Sequence, residues 1–354
     1  MYYSQKARLA IYAEGEFGKG RSKTAEGVIR YAKNPVVAVI DSTEAGRTVE
    51  DVMGVPCQAP IVASIAEALS YKPDALLLGT AWTGGQMPSD WKPDIITAIK
   101  SGLDVINGLH DFLSDDPDIA RCAELHQRAL LDVRRPPAVL PVASGKAASV
   151  PAMTVLTVGS DCSVGKMTAA LELAAAARKA GHTAKFVATG QTGIMICGEG
   201  IAIDRVIGDF MAGAIEQMVL ESGFNNDFVF IEGQGSLVHP GFSGVTLALV
   251  HGACPEAMIL CHKCTKTRIG EMPFSIPPLA ELVTMYEYMA ESVRPSKVLG
   301  VALNTSGMTD KAAVQAIAAA EEETGLPATD PVRYGAGKLF EAIVKEGRLD
   351  RAAL

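Results

Sequence analysis

Short, unbroken apolar runs recur along this chain, and most of them end in a glycine-rich or polar cluster. In the first half the runs are Leu9-Ala-Ile-Tyr-Ala13, Val36-Val-Ala-Val-Ile40, Ile61-Val-Ala63, Ala75-Leu-Leu-Leu78 and Asp104-Val-Ile106. In the second half they are Thr154-Val-Leu-Thr-Val158, Lys185-Phe-Val-Ala188, Asp227-Phe-Val-Phe-Ile231, Ala257-Met-Ile-Leu260 and Lys297-Val-Leu-Gly-Val-Ala-Leu303. A strand wetted on one face alternates apolar with polar, whereas a strand buried on both faces reads as one apolar run. The pattern therefore predicts parallel sheets covered on both sides by helices. Helices are expected over Thr24–Tyr31, Ser64–Ser70, Lys92–Ser101 and Pro117–Leu131, and along an Ala-rich segment from Lys166 to near Gly181. The expected fold class is α/β, with two doubly wound parallel-sheet domains. An N-terminal Rossmann-like domain is placed at residues 1–140 and a C-terminal P-loop NTPase-like domain at 153–354. Between them, 141–152 reads as a linker that follows Arg134-Arg135-Pro136-Pro137, because proline removes amide donors and presets extended backbone.

Composition narrows this picture. A chain of 354 residues with 48% hydrophobic content can fill two cores. A net charge of −8 argues against a nucleic-acid partner. No apolar run approaches the ~18 residues of a membrane span, and Met1–Gly15 lacks the basic start and apolar core of a signal peptide. Seven scattered cysteines, an odd number, fit a reducing cytoplasm better than a disulfide framework. The expected setting is cytoplasmic, with a small-molecule substrate, no nucleic acid, no membrane, and assembly as a homo-oligomer.

The strongest chemical signal is Gly159-Ser160-Asp161-Cys162-Ser163-Val164-Gly165-Lys166-Met167-Thr168, set between an apolar run and an Ala-rich segment. Strand, glycine-bounded loop, lysine, helix is the order of a phosphate-binding P-loop. Glycines let backbone amides turn inward onto phosphate oxygens. The helix N-terminus adds partial positive charge, and Lys166 adds a full one. Two departures matter. Five residues rather than four separate the glycines, and Met167 stands where a hydroxyl ordinarily binds Mg²⁺. A thioether is a soft ligand and the cation is hard, so Met167 cannot take that role. Thr168 and Ser163 are the hydroxyls that could substitute. The loop therefore suits a phosphorylated donor whose phosphates stay intact.

In open α/β sheets ligands gather beyond the carboxyl ends of strands, and the other polar clusters of the second half lie there. Glu232 ends an apolar run and is a candidate general base or metal ligand; a carboxylate held by Lys166 or by amides is the structural alternative. His239 is a second candidate base, or else a satisfied loop histidine. Asp209, in a mostly apolar segment with Asp204 and Arg205, is a third. Gln191, Thr192 and Gln234 lie among glycines and could hydrogen-bond a substrate, or serve the turns they occupy. Lys263, Lys266 and Arg268 could pair with carboxylates or phosphates, or form an exposed basic turn. Cys261-His262-Lys263-Cys264 is half of a zinc pattern without its second half, so no metal site is expected. In the first half, Gly15-Glu-Phe-Gly-Lys-Gly20 reads as a loop rather than a dinucleotide fingerprint, and Asp41 as a turn or cap residue. Asp111 beside a packed His110 reads as a helix cap.

The P-loop, Thr189-Gly-Gln-Thr-Gly193, Ile231-Glu-Gly-Gln-Gly-Ser236 and Gly108-Leu-His-Asp-Phe-Leu-Ser-Asp-Asp116 together resemble a family long carried as a domain of unknown function. Its members pair an N-terminal Rossmann-like domain with a C-terminal P-loop domain and are assigned as D-amino-acid N-acetyltransferases. The resemblance, which covers nearly the whole chain, implies acetyl-CoA as donor and D-glutamate as substrate. The P-loop and the Glu232 turn are also similar to dethiobiotin synthetase, which implies the alternative of an ATP-dependent ligase or kinase using ATP with Mg²⁺. That enzyme carries a hydroxyl directly after its lysine, and Met167 departs from it. Acetyl transfer would require a base to free the amine, with Glu232, His239 and Asp209 as candidates. It would also require donors such as Lys166 or backbone amides for the oxyanion. Cations such as Lys263 or Arg268 would orient carboxylates.

Overall fold

The computed structural model describes residues 3–81 and 85–352 of the chain. Its strands are β1 Leu9–Tyr12, β2 Val36–Ile40, β3 Ile61–Val62, β4 Ala75–Leu78, β5 Asp104–Asn107, β6 Leu130–Asp132, β7 Met153–Gly159, β8 Ala184–Val187, β9 Phe228–Ile231, β10 Ala257–Lys263, β11 Lys297–Asn304 and β12 Ala328–Thr329. Its helices are α1 Lys23–Tyr31, α2 Val49–Met53, α3 Ile65–Ala68, α4 Lys92–Lys100, α5 Pro117–His126, α6 Lys166–Lys179, α7 Gln191–Cys197, α8 Gly208–Gly223, α9 Ser243–Ala253, α10 Leu279–Glu291, α11 Asp310–Thr324 and α12 Gly337–Ala352. Two compact units contain them: Met1–Pro136 with Gly190–Arg205, and Pro137–Thr189 with Val206–Leu354. Among the described residues no helix is long and apolar enough to cross a membrane.

The first unit holds a parallel sheet in the order β3-β2-β1-β4-β5-β6, the Rossmann arrangement. Tyr12, Ile40, Leu76, Leu78, Ile95, Ile99 and Val105 form its core. The expected helix over Pro117–Leu131 is shorter than its apolar pattern implies. It stops at His126, and Gln127 turns left-handed at φ 53°. Leu130 and Leu131 instead pair as β6 with Val105 and Ile106 of β5. Asp41 is structural: its buried carboxylate accepts the amides of Phe17 and Thr43, each at 2.8 Å, so the Gly15–Gly20 loop is pinned to the end of β2. The cap of α5 is Asp116, which accepts from the amides of Asp118 and Ile119; Asp111 instead accepts the Met87 amide at 2.9 Å.

This unit also contains a segment distant in sequence. Gly190–Arg205 leaves the second half and folds here as α7 and the turn after it. Gln5 Nε2 donates to the Cys197 carbonyl at 2.7 Å, and Tyr3 donates to that of Met195. The Gly108–Asp116 stretch packs under this segment. Arg134 Nε donates to the Gly108 carbonyl at 2.7 Å, its guanidinium pairs with Asp204, and the His110 ring stands 3.7 Å from the same carboxylate.

The second unit holds a parallel sheet in the order β12-β11-β10-β7-β9-β8. All seven residues of β7 are buried, as a central strand between β10 and β9 requires. Residues 141–149, expected as linker, are anchored to α8. A Cβ on Gly213 would stand 1.9 Å from the Pro141 carbonyl oxygen, so only glycine permits that approach. Glu216 on the same helix is buried, and its carboxylate accepts from Ser144 N at 3.0 Å, Ser144 Oγ at 2.8 Å and Lys146 N at 2.8 Å. Burial alone would raise its pKa, but the Ser144 hydroxyl and the amides outweigh it and hold the group below the usual carboxylate range. A depressed carboxylate pKa stabilises the fold above the unfolded value of about 4.3 and loses that contribution as pH falls through the folded value. Glu216→Gln turns an NH₂ group toward these donors and is expected to destabilise the second unit by roughly 2–3 kcal/mol at pH 7. Denaturant melts of both proteins check it: the difference should shrink below about pH 4, where the wild-type carboxyl takes up its proton.

Candidate functional site

The P-loop leaves β7 at Gly159 and enters α6 at Lys166. Ser163 at φ 56° and Gly165 at φ 111° give the loop its left-handed turns. A Cβ on Gly159 would lie 2.9 Å from Lys166 Nζ, so a side chain there would displace the lysine from its seat. Lys166 folds back along its own loop and donates to the Asp161 carbonyl at 2.8 Å. It is only 6% exposed, and burial lowers its pKa against the upward pull of Cys162, Cys261, Asp161 and Glu232. The thioether of Met167 directly follows this lysine. Thr168 lies one position further along the helix, about 100° around its axis from Met167.

Asp161 organises the mouth of the loop. Its fully buried carboxylate accepts Cys162 N at 2.7 Å and Gly270 N at 2.8 Å, and it pairs with Lys266. Burial is the largest single influence and pushes its pKa up, but the Gly270 amide, Lys266 and the Cys162 amide together outweigh it and keep it low. Lys266 also donates to the Cys162 carbonyl at 3.1 Å. The segment carrying Lys266 and Gly270 doubles back through a bridge between Arg268 and Ser275, so one ion pair ties this turn to the P-loop.

The end of β9 closes one flank. Glu232 is buried and accepts Thr189 N at 2.9 Å, while Thr189 Oγ1 donates to the Glu232 carbonyl at 2.7 Å. Gln234 Nε2 donates to the same threonine hydroxyl at 3.2 Å. Gly233 N donates to Thr157 Oγ1 at 3.0 Å, which stitches β9 to β7 below the loop. From α10, the buried Tyr286 hydroxyl donates to the Gly159 carbonyl at 2.7 Å and accepts the amides of Gly159 and Leu237 at 3.3 and 3.2 Å. Ser160 Oγ pairs with His262 Nδ1 at 2.8 Å, and burial lowers the pKa of that histidine.

His239 packs its ring 4.6 Å from Phe242 and accepts Gly241 N at Nδ1, 3.1 Å away. An imidazole that accepts at Nδ1 carries its proton on Nε2 and acts there as a donor. Ligand atoms of Asp161, Cys162 and His239 lie within 4.8 Å of one another, the spacing of a metal cluster. The chemistry of the trio does not suit a cation. Asp161 already binds an ammonium, and both imidazole nitrogens are committed to protons, one accepted and one carried. Cys261 does not suit one either: burial pushes its thiol up to about 12, so it stays protonated at neutral pH.

The structure thus gathers Gly159–Thr168, Glu232, Gln234 and His239 around one strand end. Lys263 is half-buried at the end of β10, beside Asn304 of β11. Arg268 is exposed on the turn, and Asp209 is exposed on the first turn of α8. Gln191 and Thr192 open α7 in the first unit, where Thr192 shares a 3.0 Å hydrogen bond with Thr24 and Gln191 packs on Gly108. Tyr286 and the latch role of Asp161 carry no local sequence signal. Lys266 carries one, its place in a basic run, but Lys263 and Arg268 share that signal.

A Rossmann-like sheet and a P-loop sheet in one chain define a two-unit α/β protein with its P-loop after a central strand of the second sheet. Residues 141–340 match the P-loop domain of the DUF1611 domain of unknown function, and residues 42–136 match its N-terminal Rossmann-like domain. The chain belongs to that family. It is 41% identical over 282 residues to the D-glutamate N-acetyltransferase of Tritonibacter scottomollicae, covering 79% of this chain and 84% of that one. A protein of the same name from a Pseudoalteromonas species is 36% identical over 274 residues, with 77% and 82% covered. The crystal structure of a DUF1611 family protein from Anabaena variabilis superposes with a TM-score of 0.92 at 43% identity, over 96% of this chain and 100% of that one.

Proposed function

We propose that this protein is an acyltransferase of the cytoplasm that moves an acetyl group from acetyl-CoA to the amine of D-glutamate. The observation that carries the reading is a well-formed P-loop with Met167 in the metal-hydroxyl position, in a chain whose relatives bear the name D-glutamate N-acetyltransferase. Such a loop can grip a diphosphate without breaking it. Seven free cysteines accord with a reducing compartment.

The donor supplies an activated acyl thioester at the far end of a pantetheine arm. That arm is roughly four residue lengths, about 14 Å extended at ~3.5 Å each. With the diphosphate on Lys166, Glu232 and His239 belong to the phosphate end. Glu232 fixes the turn beside the loop through Thr189, and His239 offers Nε2–H to the anion. The base that takes the proton of the substrate ammonium must stand further off. Asp209 is exposed on the first turn of α8, the helix that runs into β9, and β9 is the strand beside β7 on the flank away from β10. Asp209 is therefore the proposed base. Lys263 and Arg268 lie beyond β10 on the opposite flank of β7, the side of the donor's phosphates rather than of the amine.

Free thiol released on mixing the protein with acetyl-CoA and D-glutamate tests the activity. Asp209→Asn is expected to lower kcat about 100-fold or more while leaving CoA affinity intact, the usual scale for a lost general base. No thiol release with any D- or L-amino acid, together with tight binding of Mg–ATP, would instead favour an ATP-dependent ligase or kinase.

A further inference from the structure

A P-loop that binds a diphosphate ordinarily shares the charge between its lysine and a Mg²⁺ ion held by the next residue's hydroxyl. Here that residue is Met167, which leaves Lys166 as the one cation supplied by the motif itself. A second cation nevertheless stands at the loop. Lys266 arrives from 105 positions away in sequence, pairs with Asp161 and donates to the Cys162 carbonyl at 3.1 Å. Gly270 N binds the same carboxylate at 2.8 Å, so the whole turn is seated on the loop rather than only its lysine. The Lys266 side chain is not enclosed by these contacts: it keeps 28% of its surface, whereas the Asp161 side chain keeps none.

We propose that Lys266 supplies the charge of the Mg²⁺ that Met167 cannot ligate, so that two lysines, Lys166 and Lys266, hold the donor's diphosphate without metal. The inference rests on reading the P-loop as the site of an intact diphosphate. Asp161 is then a positioning residue: it holds Lys266 at the loop mouth before the donor arrives, and an ammonium with three protons can keep that bond while adding one to a phosphate oxygen. The arrangement would also explain why the loop tolerates a methionine after its lysine. Charge that an NTPase draws from solution as an ion is built into the chain.

Calorimetric titration of CoA into the full-length protein, in EDTA and in Mg²⁺, tests this with wild type, Lys266→Gln, Lys266→Arg and Asp161→Asn. Wild type is expected to bind CoA equally in both buffers. Lys266→Gln should weaken CoA by about tenfold or more, the scale of one charge-assisted hydrogen bond, with Lys266→Arg restoring most of it. Dephospho-CoA should show the same loss, which places the lysine on the diphosphate rather than the 3′-phosphate. Asp161→Asn keeps the lysine and should lose less than Lys266→Gln. Equal losses in those two variants would reduce Lys266 to a structural latch and overturn the proposal, as would wild-type binding that needs Mg²⁺ or a Lys266→Gln protein that binds as wild type. ADP in EDTA is titrated alongside. A wild type that binds ADP but not CoA sinks the acetyl-donor reading, and the same variants on ADP still decide the role of Lys266. Melting temperatures of all variants separate a lost site from a lost fold.

Discussion

Lys166→Met is expected to weaken CoA binding by about 100-fold or more while leaving the melting temperature unchanged or slightly raised. The binding loss follows from removing one or two charge-assisted hydrogen bonds to phosphate, each of about 1.5–3 kcal/mol. The stability side follows from burial. The ammonium is almost wholly enclosed, with the Asp161 carbonyl at 2.8 Å as a neutral partner, and its pKa is lowered. A lysine whose folded pKa lies below its unfolded value of about 10.4 opposes folding while both forms are charged. That opposition fades as pH rises through the folded value and then the unfolded one. Methionine fills similar space without the charge, so the fold gains what the site loses. The same sign governs the donor: phosphate favours the charged lysine, so CoA affinity should fall as pH rises through the lowered pKa of the empty site. Calorimetry for binding and differential scanning calorimetry for stability check both halves. A variant that binds CoA normally would remove the P-loop from the donor site.

Gly233→Ala is the substitution expected to damage the second unit most. A Cβ at this position would stand 1.7 Å from the Thr157 carbonyl oxygen and 3.0 Å from Lys166 Cδ. The first obstacle is backbone, so no side-chain rotation relieves it, and β9 must move away from β7 directly under the P-loop. Overpacking of this kind typically costs about 1–3 kcal/mol, and backbone displacement sets this case at the upper end. The melting temperature should fall by about 6–12 °C, at about 2–4 °C per kcal/mol for a domain of this size. Activity should fall further than stability does at assay temperature, because the hydrogen bond from Gly233 N to Thr157 Oγ1 and the seat of Lys166 shift together. Full activity with an unchanged melt would show that the strands part without disturbing the loop.

The strands of both sheets were legible because burial on two faces writes a continuous apolar run, and the runs at Val36, Ala75, Phe228 and Ala257 correspond to β2, β4, β9 and β10. The exceptions are short. β6 has three residues and β12 two, too few to carry a period, and Leu130-Leu131 continues the apolar pattern of α5 past its true end. Only pairing with β5 makes that dipeptide a strand. The segment after Thr189 shows the same limit on a larger scale. Gln191 and Thr192 follow a strand of the second sheet in sequence, yet they open a helix of the first unit.

By itself the sequence determined the class of fold, the position of the P-loop and the methionine at position 167 after its lysine. Each of these is encoded locally, in the period of apolar residues or in ten consecutive positions. Tertiary structure decided which charges meet at that loop. Lys266, Gly270 and Tyr286 reach it across 105, 109 and 127 positions. What brings them there is the order of the strands, which places β10 beside β7 and carries the segments after it to the same sheet edge. A hydrogen bond depends on distance in space, and no property of a residue's sequence neighbours records how far away its partner folds.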